Sequence, residues 1–434
     1  MLNNQNIFNK KKILVYGLGK SGLSAFKFLN KNNEIYLFDD KKIIDHNHQI
    51  KKSLISYQKL LRKNIDQIII SPGIDIKKCS LKNYLKKNSK KIYTDLDIFY
   101  DFYTKNKKIT ITGTNGKSTT AKILYDVLKE QNFDARLVGN IGNPILLEKN
   151  ITNKTVFIVE ASSYQLEYSK LFRSNISAIL NISPDHLERH KTLKRYINAK
   201  FKIVKNQTIK DYAILNIRNF YIKKEIKNQN FLPKLIKINK LIDIKLLKKI
   251  NNSYFYSEGN RENLSFVLQV TKILKIKKNN LFKTLKKFKG LKYRQQIIFR
   301  SKDLTIINDS KSTSFTSSIN ILKSISNVSW IVGGLAKKGD KFLLSKVNCK
   351  NFKAYIFGKN KSFFISELKD IMKYESFTNL KFLVKKIFLD IRKNKNQKHK
   401  TILFSPAAAS FDSFQNFEER GKYFNNLIKK NYSV

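Results

Sequence analysis

The stretch ITGTNGKSTTAKIL, residues 111–124, decides how the rest of the chain is read. A β-branched run (KKITITG, 107–113) leads into Gly113 and Gly116, after which Lys117, Ser118 and Thr119 open a segment with helical spacing. Backbone N–H groups at a glycine turn and a helix N-terminus form a nest for an anion, and an adjacent lysine adds a full positive charge. Residues Gly113, Thr114, Asn115, Gly116, Lys117, Ser118 and Thr119 therefore read as a phosphate-binding loop, with Ser118 or Thr119 able to hold a magnesium ion. The widespread form of such loops has four residues between its glycines. Here only Thr114 and Asn115 intervene. The surrounding sequence must decide between a shorter lineage of nucleotide loop and a simple glycine turn.

A phosphate site needs a carboxylate for its metal. TVFIVEASSYQLE supplies Glu160 at the carboxyl end of an apolar strand, where parallel sheets place their ligands. The turn NISPDHLERH adds His186 and His190 beside Asp185. Magnesium prefers oxygen, so His186 reads either as a borderline ligand or as a contact to a substrate oxygen.

Further out, the cycle of strand and helix repeats. KILVYG, EIYLFDD and DQIIISPG alternate with helical patterns before residue 95, and GLGKSG fits a dinucleotide fingerprint, with Asp39 lying 22 residues beyond Gly17. Alone, that fingerprint predicts a nicotinamide dehydrogenase. A phosphate loop in the next segment argues instead that Gly17, Ser21 and Gly22 cradle another diphosphate. A third cycle begins near LKYRQQIIF and contains INDSKSTS, GGLAKKGD and SPAAASFDSFQNFEERG at strand ends. Asp309, Lys311, Thr313, Lys337 and Ser410 there offer an acid, two cations and two hydroxyls, a set suited to an amino acid. The expected architecture is α/β with three units bounded near residues 95 and 289. The segment 219–258 gives no reliable pattern.

Composition bounds the alternatives. With 434 residues and 41% hydrophobic side chains, the chain is long enough for several packed cores. The net charge of +54 would fit nucleic acid, yet only 11 of the 86 cationic side chains are Arg. The lysines are scattered among Asn and Ile, without one basic face, and Arg is the side chain that matches phosphates and base edges. A coding bias explains this better than a nucleic-acid partner, and none is expected. Cys79 and Cys349 are far apart and have no metal spacing. The start MLNNQNIFNKKK has no apolar signal core, and no run is long enough to span a bilayer, so a cytoplasmic chain without a membrane span is expected.

Taken together, GLGKSGLS, SPGI, ITGTNGKST, GNIGNP, VEASSYQLE, NISPDHLERH, YINAKFKI, LKYRQQ, NDSKST, GG-x-x-K and SPAAASFDSFQNFEERG resemble the Mur ligases, the ATP-dependent amino-acid ligases of peptidoglycan synthesis. That family carries the short T-G-T/S-N-G-K-S/T loop. SPGI and the Ser-Pro-Ala segment leading into NFEERG are similar to its glutamate-adding branch. The resemblance implies N- and C-terminal Rossmann-like domains around a central ATPase-like domain, at 1–95, 96–289 and 290–434. It implies ATP and magnesium as cofactors, UDP-N-acetylmuramoyl-L-alanine and D-glutamate as substrates, and a monomer.

Site roles carry over by position. Lys117 and the loop amides would hold the β,γ-phosphates, Ser118 and Glu160 one magnesium, and His186 a second. Lys200 matches the family's carbamylated lysine, whose new carboxylate helps bind that second metal. Lys117, Lys200 and His186 would thus be catalytic. Asn263, Arg294 and Asp309 match nucleotide contacts. Gly17, Ser21, Gly22, Asp39, Ser71, Pro72, Gly73 and Asn140 would face the UDP-muramoyl substrate. Lys311, Thr313, Lys337, Ser410 and Phe417 would surround D-glutamate. Three segments depart from the family pattern: Gly259-Asn260, NIRN (Asn216 to Asn219), and Lys311-Ser312-Thr313-Ser314. The rival readings are a related ligase using another amino acid, such as a folylpolyglutamate-type enzyme, and a basic nucleic-acid-binding NTPase.

Overall fold

A computed structural model describes residues 6–41, 47–228, 230–337, 339–393 and 399–432. Three sheets organise it. The first runs β2-β1-β3-β4, with β1 Lys12–Tyr16, β2 Glu34–Phe38, β3 Gln67–Ile70 and β4 Ile92–Tyr93, all parallel. The second contains β5 Lys107–Thr112, β6 Ala135–Gly139, β7 Val156–Glu160, β8 Ile176–Ile179, β9 Tyr212–Asn216 and β10 Lys234–Ile238. Its order is β10-β9-β8-β5-β7-β6, again parallel throughout. The third contains β11 Gln296–Arg300, β12 Leu304–Asn308, β13 Val328–Gly333, β14 Phe352–Phe357, β15 Lys373–Ser376 and β16 Lys400–Phe404. Its order is β11-β12-β16-β13-β14-β15, and only the edge strand β11 is antiparallel to its neighbour.

The central strands are nearly all apolar because helices cover both faces of a parallel sheet. β3, QIII, and β7, VFIVE, are buried at every position. One compact unit comprises residues 1–243 and 262–285, and a second comprises 244–261 and 286–434. In the first unit a continuous core runs from Ile13 and Val15 of β1 through Phe99 to Phe157 and Val159 of β7. Phe99 and Phe157 meet edge to face, with centroids 4.7 Å apart.

The helix Asp95–Phe102 joins the first sheet to the second, and Asp97 anchors it. This carboxylate is fully buried. Asp97 Oδ2 accepts from the Thr94 N–H at 2.9 Å and hydroxyl at 3.1 Å, completing a capping box. Asp97 Oδ1 accepts from the Ser169 hydroxyl at 2.8 Å and from the N–H groups of Lys170, Leu171 and Phe172 at 2.9, 2.8 and 3.2 Å. So many donors compensate the desolvation of a buried carboxylate.

The alternating pattern read from the sequence is present, including every strand named above from the three cycles. Several elements escaped it. In the unassigned segment, Phe220–Asn228 is a helix and KLIKI forms the edge strand β10. The turn NISPDHLERH contains a short helix, Leu187–His190.

Candidate active site

The phosphate loop lies between β5 and the helix Lys117–Glu130. Gly116 caps that helix at φ +83°, in the left-handed region that favours glycine. A Cβ there would also fall 2.1 Å from Asn263 Oδ1, so the helix Glu258–Ile273 packs directly on the loop. The loop's geometry is held from β8. The Thr114 N–H donates to Asn181 O and the Asn115 N–H to Asn181 Oδ1, both at 2.9 Å. Thr114 Oγ1 accepts from the Ser183 N–H at 3.0 Å and meets the Tyr196 hydroxyl at 3.0 Å.

Glu160 ends β7 and is almost fully buried. Ser118 Oγ donates to its Oε2 at 2.7 Å, and Asn140 Nδ2 to its Oε1 at 2.8 Å. A hydroxyl and a carboxylate beside a phosphate loop are the oxygen donors magnesium takes, since it keeps several waters and substrate phosphates as its other ligands. The residues present therefore fit a magnesium ion. Among the described residues no three or more His, Cys, Asp and Glu gather into a metal cluster, here or elsewhere.

Lys117 and Lys200 converge on one carbonyl. Lys117 Nζ donates to Gly113 O at 2.7 Å and Thr114 O at 2.8 Å, while Lys200 Nζ donates to Gly113 O at 2.7 Å. Lys200 belongs to the helix Leu193–Lys205 and stands over the Tyr196 ring at 4.6 Å. Burial, and then the Lys117 charge, push its amine well below the usual lysine range. His186 is half-exposed at φ +53°. Asp185 Oδ1 accepts its N–H at 3.0 Å, and its ring Nδ1 meets the Tyr164 hydroxyl at 3.0 Å. His190 is buried against Ser163 Oγ at 3.0 Å, and desolvation lowers its pKa to about 4.

In the first sheet, the GLGKSG loop is bound to its neighbours. The Leu18 N–H donates to Asp39 Oδ2 at 2.6 Å, Ser21 Oγ donates to Asp95, and Ser71 Oγ donates to Gly17 O. A Cβ on Gly22 would lie 1.9 Å from Gly17 O, so glycine is needed for this close approach. Pro72 and Gly73 continue the turn after β3. Gly17, Ser21, Gly22, Asp39 and Ser71 thus lie together.

The second unit holds the remaining predicted residues. Asp309 is buried, accepting from the Gln295 N–H at 3.0 Å and Ser405 Oγ at 2.9 Å, and desolvation pushes its carboxyl up to about 7. Lys311 Nζ lies 4.2 Å and the Arg294 guanidinium 5.9 Å from the Phe417 ring centre. Ser410 is buried, whereas Thr313 is exposed and Lys337 partly so. Arg420 lies in NFEERG, where no role is expected of it. It is fully buried, and its Nη2 donates to Ser310 O at 2.7 Å and Ala408 O at 2.9 Å, joining INDSKSTS to SPAAAS. Asn181 and Tyr196 were also missed, although both fell inside quoted motifs.

Comparison with known proteins gives this arrangement a family. The profile of the Mur ligase middle domain matches residues 111–279, and that of the MurD-like N-terminal domain of Mur ligases matches 11–92. A Rickettsia felis protein named UDP-N-acetylmuramoylalanine–D-glutamate ligase is 32% identical, the match covering 98% of both chains. The chain belongs to the Mur ligase family. A Rickettsia bellii protein of the same name is 31% identical over 96% of this chain and 97% of its own, and one from Francisella tularensis subsp. novicida is 33% identical over 96% and 95%. Among solved Mur ligases, the UDP-N-acetylmuramate–alanine ligase of Thermotoga maritima superposes with a TM-score of 0.55 at 16% identity, covering 97% of this chain and 99% of that one. The MurF ligase of Thermotoga maritima in complex with ADP gives 0.54 at 15%, covering 98% and 99%. These likenesses establish the three-sheet α/β fold of the Mur ligases. No helix among the described residues is long and apolar enough to cross a membrane.

Proposed function

We propose that this Mur ligase adds D-glutamate to UDP-N-acetylmuramoyl-L-alanine at the expense of ATP, in peptidoglycan precursor synthesis, as a cytoplasmic monomer. The observation that carries the reading is the junction of Lys117, Ser118, Glu160 and Lys200 at one phosphate loop. Its relatives' shared name supports the choice of amino acid and acceptor. The working division is 1–95 for the UDP-sugar, 96–289 for ATP and 290–434 for the amino acid, one sheet to each.

Lys117 and the loop amides would hold the β,γ-phosphates. Magnesium, when bound by Ser118 and Glu160 and by His186 with carbamylated Lys200, would neutralise phosphate charge. The carbamate requires Lys200 as a neutral amine, which its burial favours: nitrogen bonds to the carbon of carbon dioxide and releases a proton. The acceptor carboxylate, oriented from Asn140 and the Gly17 and Ser71 turns, attacks the γ-phosphorus, and the bond to ADP breaks. The acyl phosphate so formed is a far better electrophile than a carboxylate. The amine of D-glutamate, held among Lys311, Thr313, Lys337, Ser410 and Phe417, attacks its carbonyl carbon. The tetrahedral intermediate then expels phosphate, leaving the amide. Asn263, Arg294 and Asp309 would orient the nucleotide.

The test incubates the protein with ATP, magnesium, the acceptor and either enantiomer of glutamate. ADP and amide formed with D-glutamate alone are expected. Equal formation with both enantiomers, or none, would overturn the reading.

A further inference from the structure

Arg189 is absorbed by none of the roles above, yet it connects two of them. It lies on the short helix Leu187–His190, next to the loop of His186, and its side chain is only 8% exposed. Nε donates to Glu167 Oε2 at 3.0 Å. Nη2 donates to Ile74 O at 2.6 Å and Nη1 to Gly73 O at 3.4 Å, both carbonyls of the SPGI turn. The guanidinium carbon lies 5.2 Å from the Tyr164 ring centre and 5.5 Å from that of Tyr168. Tyr164 in turn meets His186 Nδ1 through its hydroxyl at 3.0 Å. On the other side, Ser71 of the same turn donates to Gly17 O.

We propose that Arg189 is a positioning residue that fixes the span between the turn holding the acceptor's nucleotide end and the His186 loop where its carboxylate reacts. The proposal rests on the functional reading above. Its physical basis is the guanidinium's rigid fork. One planar group reaches a carboxylate with one edge and two successive carbonyls with another, a geometry an ammonium cannot reproduce. In contact with two tyrosine rings, it cannot swing without losing both cation–π contacts. The path Gly17–Ser71–Gly73/Ile74–Arg189–Tyr164–His186 is therefore stiff. Stiffness matters because contacts to a remote nucleotide speed the reaction only if they place the reacting carboxylate within a fraction of an ångström.

The test compares full acceptor with N-acetylmuramoyl-L-alanine lacking uridine diphosphate, in wild type and Arg189→Lys. Wild type should prefer the full acceptor strongly. Arg189→Lys should lose about 10- to 100-fold in kcat/KM for the full acceptor, change little with the truncated one, and keep its KM for ATP. Because Arg189 is buried, thermal melting checks that the variant folds. A second variant, Tyr164→Phe, keeps the ring and removes the bond to His186. Its effect on kcat should combine with that of Arg189→Lys less than additively if both act along one path. An active wild type whose Arg189→Lys loses activity equally on both acceptors, or in its KM for ATP, overturns the positioning role alone, as does strict additivity with Tyr164→Phe. A wild type that makes no amide overturns the functional reading and this role with it.

Discussion

Two lysines in the first compact unit are buried to the same degree and have opposite meanings. Lys108 on β5 and Lys200 on the helix Leu193–Lys205 are each 1% exposed, and burial lowers the pKa of both. Lys108 Nζ donates to the carbonyls of Tyr103 and Asn106, at the C-terminal end of the helix Asp95–Phe102. It also faces the Phe99 and Tyr100 rings at 5.7 and 5.4 Å. That is an amine at the carbonyl end of a helix, with its hydrogen bonds used by structure. Lys200 donates to a carbonyl of the phosphate loop, shares it with Lys117, and feels the carboxylates of Asp185 and Glu160. Burial alone does not identify a functional lysine. What its amine faces does.

The contrast can be broken at several points. Removing the charge beside Lys200, with Lys117→Ala, should reduce kcat by about 1,000-fold if Lys117 is the preorganised cation proposed for the transferring phosphoryl group. Single-turnover ADP release measures it, with thermal melting to show a folded protein. Lys200→Met should cost about 100-fold in turnover while leaving thermal stability close to wild type, since a buried amine gives way to an apolar chain of similar length and Gly113 O keeps its Lys117 donor. Lys108→Met should do the reverse. It takes the Lys108 donor from the Asn106 carbonyl and leaves Tyr103 O with the Asn106 N–H, so stability should fall by about 1–3 kcal/mol in urea unfolding while turnover is retained. If Lys108→Met abolishes turnover in a folded protein, the distinction between the two lysines fails.

The smallest effect is in pH. The folded pKa of Lys108 is lowered to about 7 from the ordinary 10.5, so between those values the unfolded chain binds the extra proton. By linkage, its contribution to stability rises as pH increases through that window. Wild type should therefore gain stability relative to Lys108→Met from about pH 7 upward, read from paired melting curves across the window. A parallel pair of curves would show that Lys108 stays charged when folded.

The two lysines also show what was legible in the sequence. Strands such as β1, β2, β3, β5 and β7 were readable because buried parallel strands are apolar runs and the glycine loops punctuate them. β10 was not, because an edge strand such as KLIKI alternates Lys and Ile within a segment of the same composition. In the site, Gly113 to Thr119 and Glu160 were readable from local chemistry: an anion nest, and an acid at a strand end. Lys200 was reached only through family resemblance, since one lysine in a chain with 86 cationic side chains has no local signal. Arg189, Asn181 and Tyr196 act through backbone carbonyls, amides and rings distant in sequence. Their roles depend on which segments the fold brings together, which no spacing rule reports.

Asp97 has a consequence for anyone recombining this chain with its relatives. The segment border near residue 95 invites a splice there, yet Thr94 would come from one parent and Asp97 with its Ser169–Phe172 donors from the other. A crossover that substitutes Thr94 takes away the hydroxyl donor of a fully buried carboxylate oxygen and leaves it the backbone N–H alone. Exchange of the first module should therefore be made after Phe172 or before Thr94, so that each hybrid inherits the complete set of donors from one ancestor.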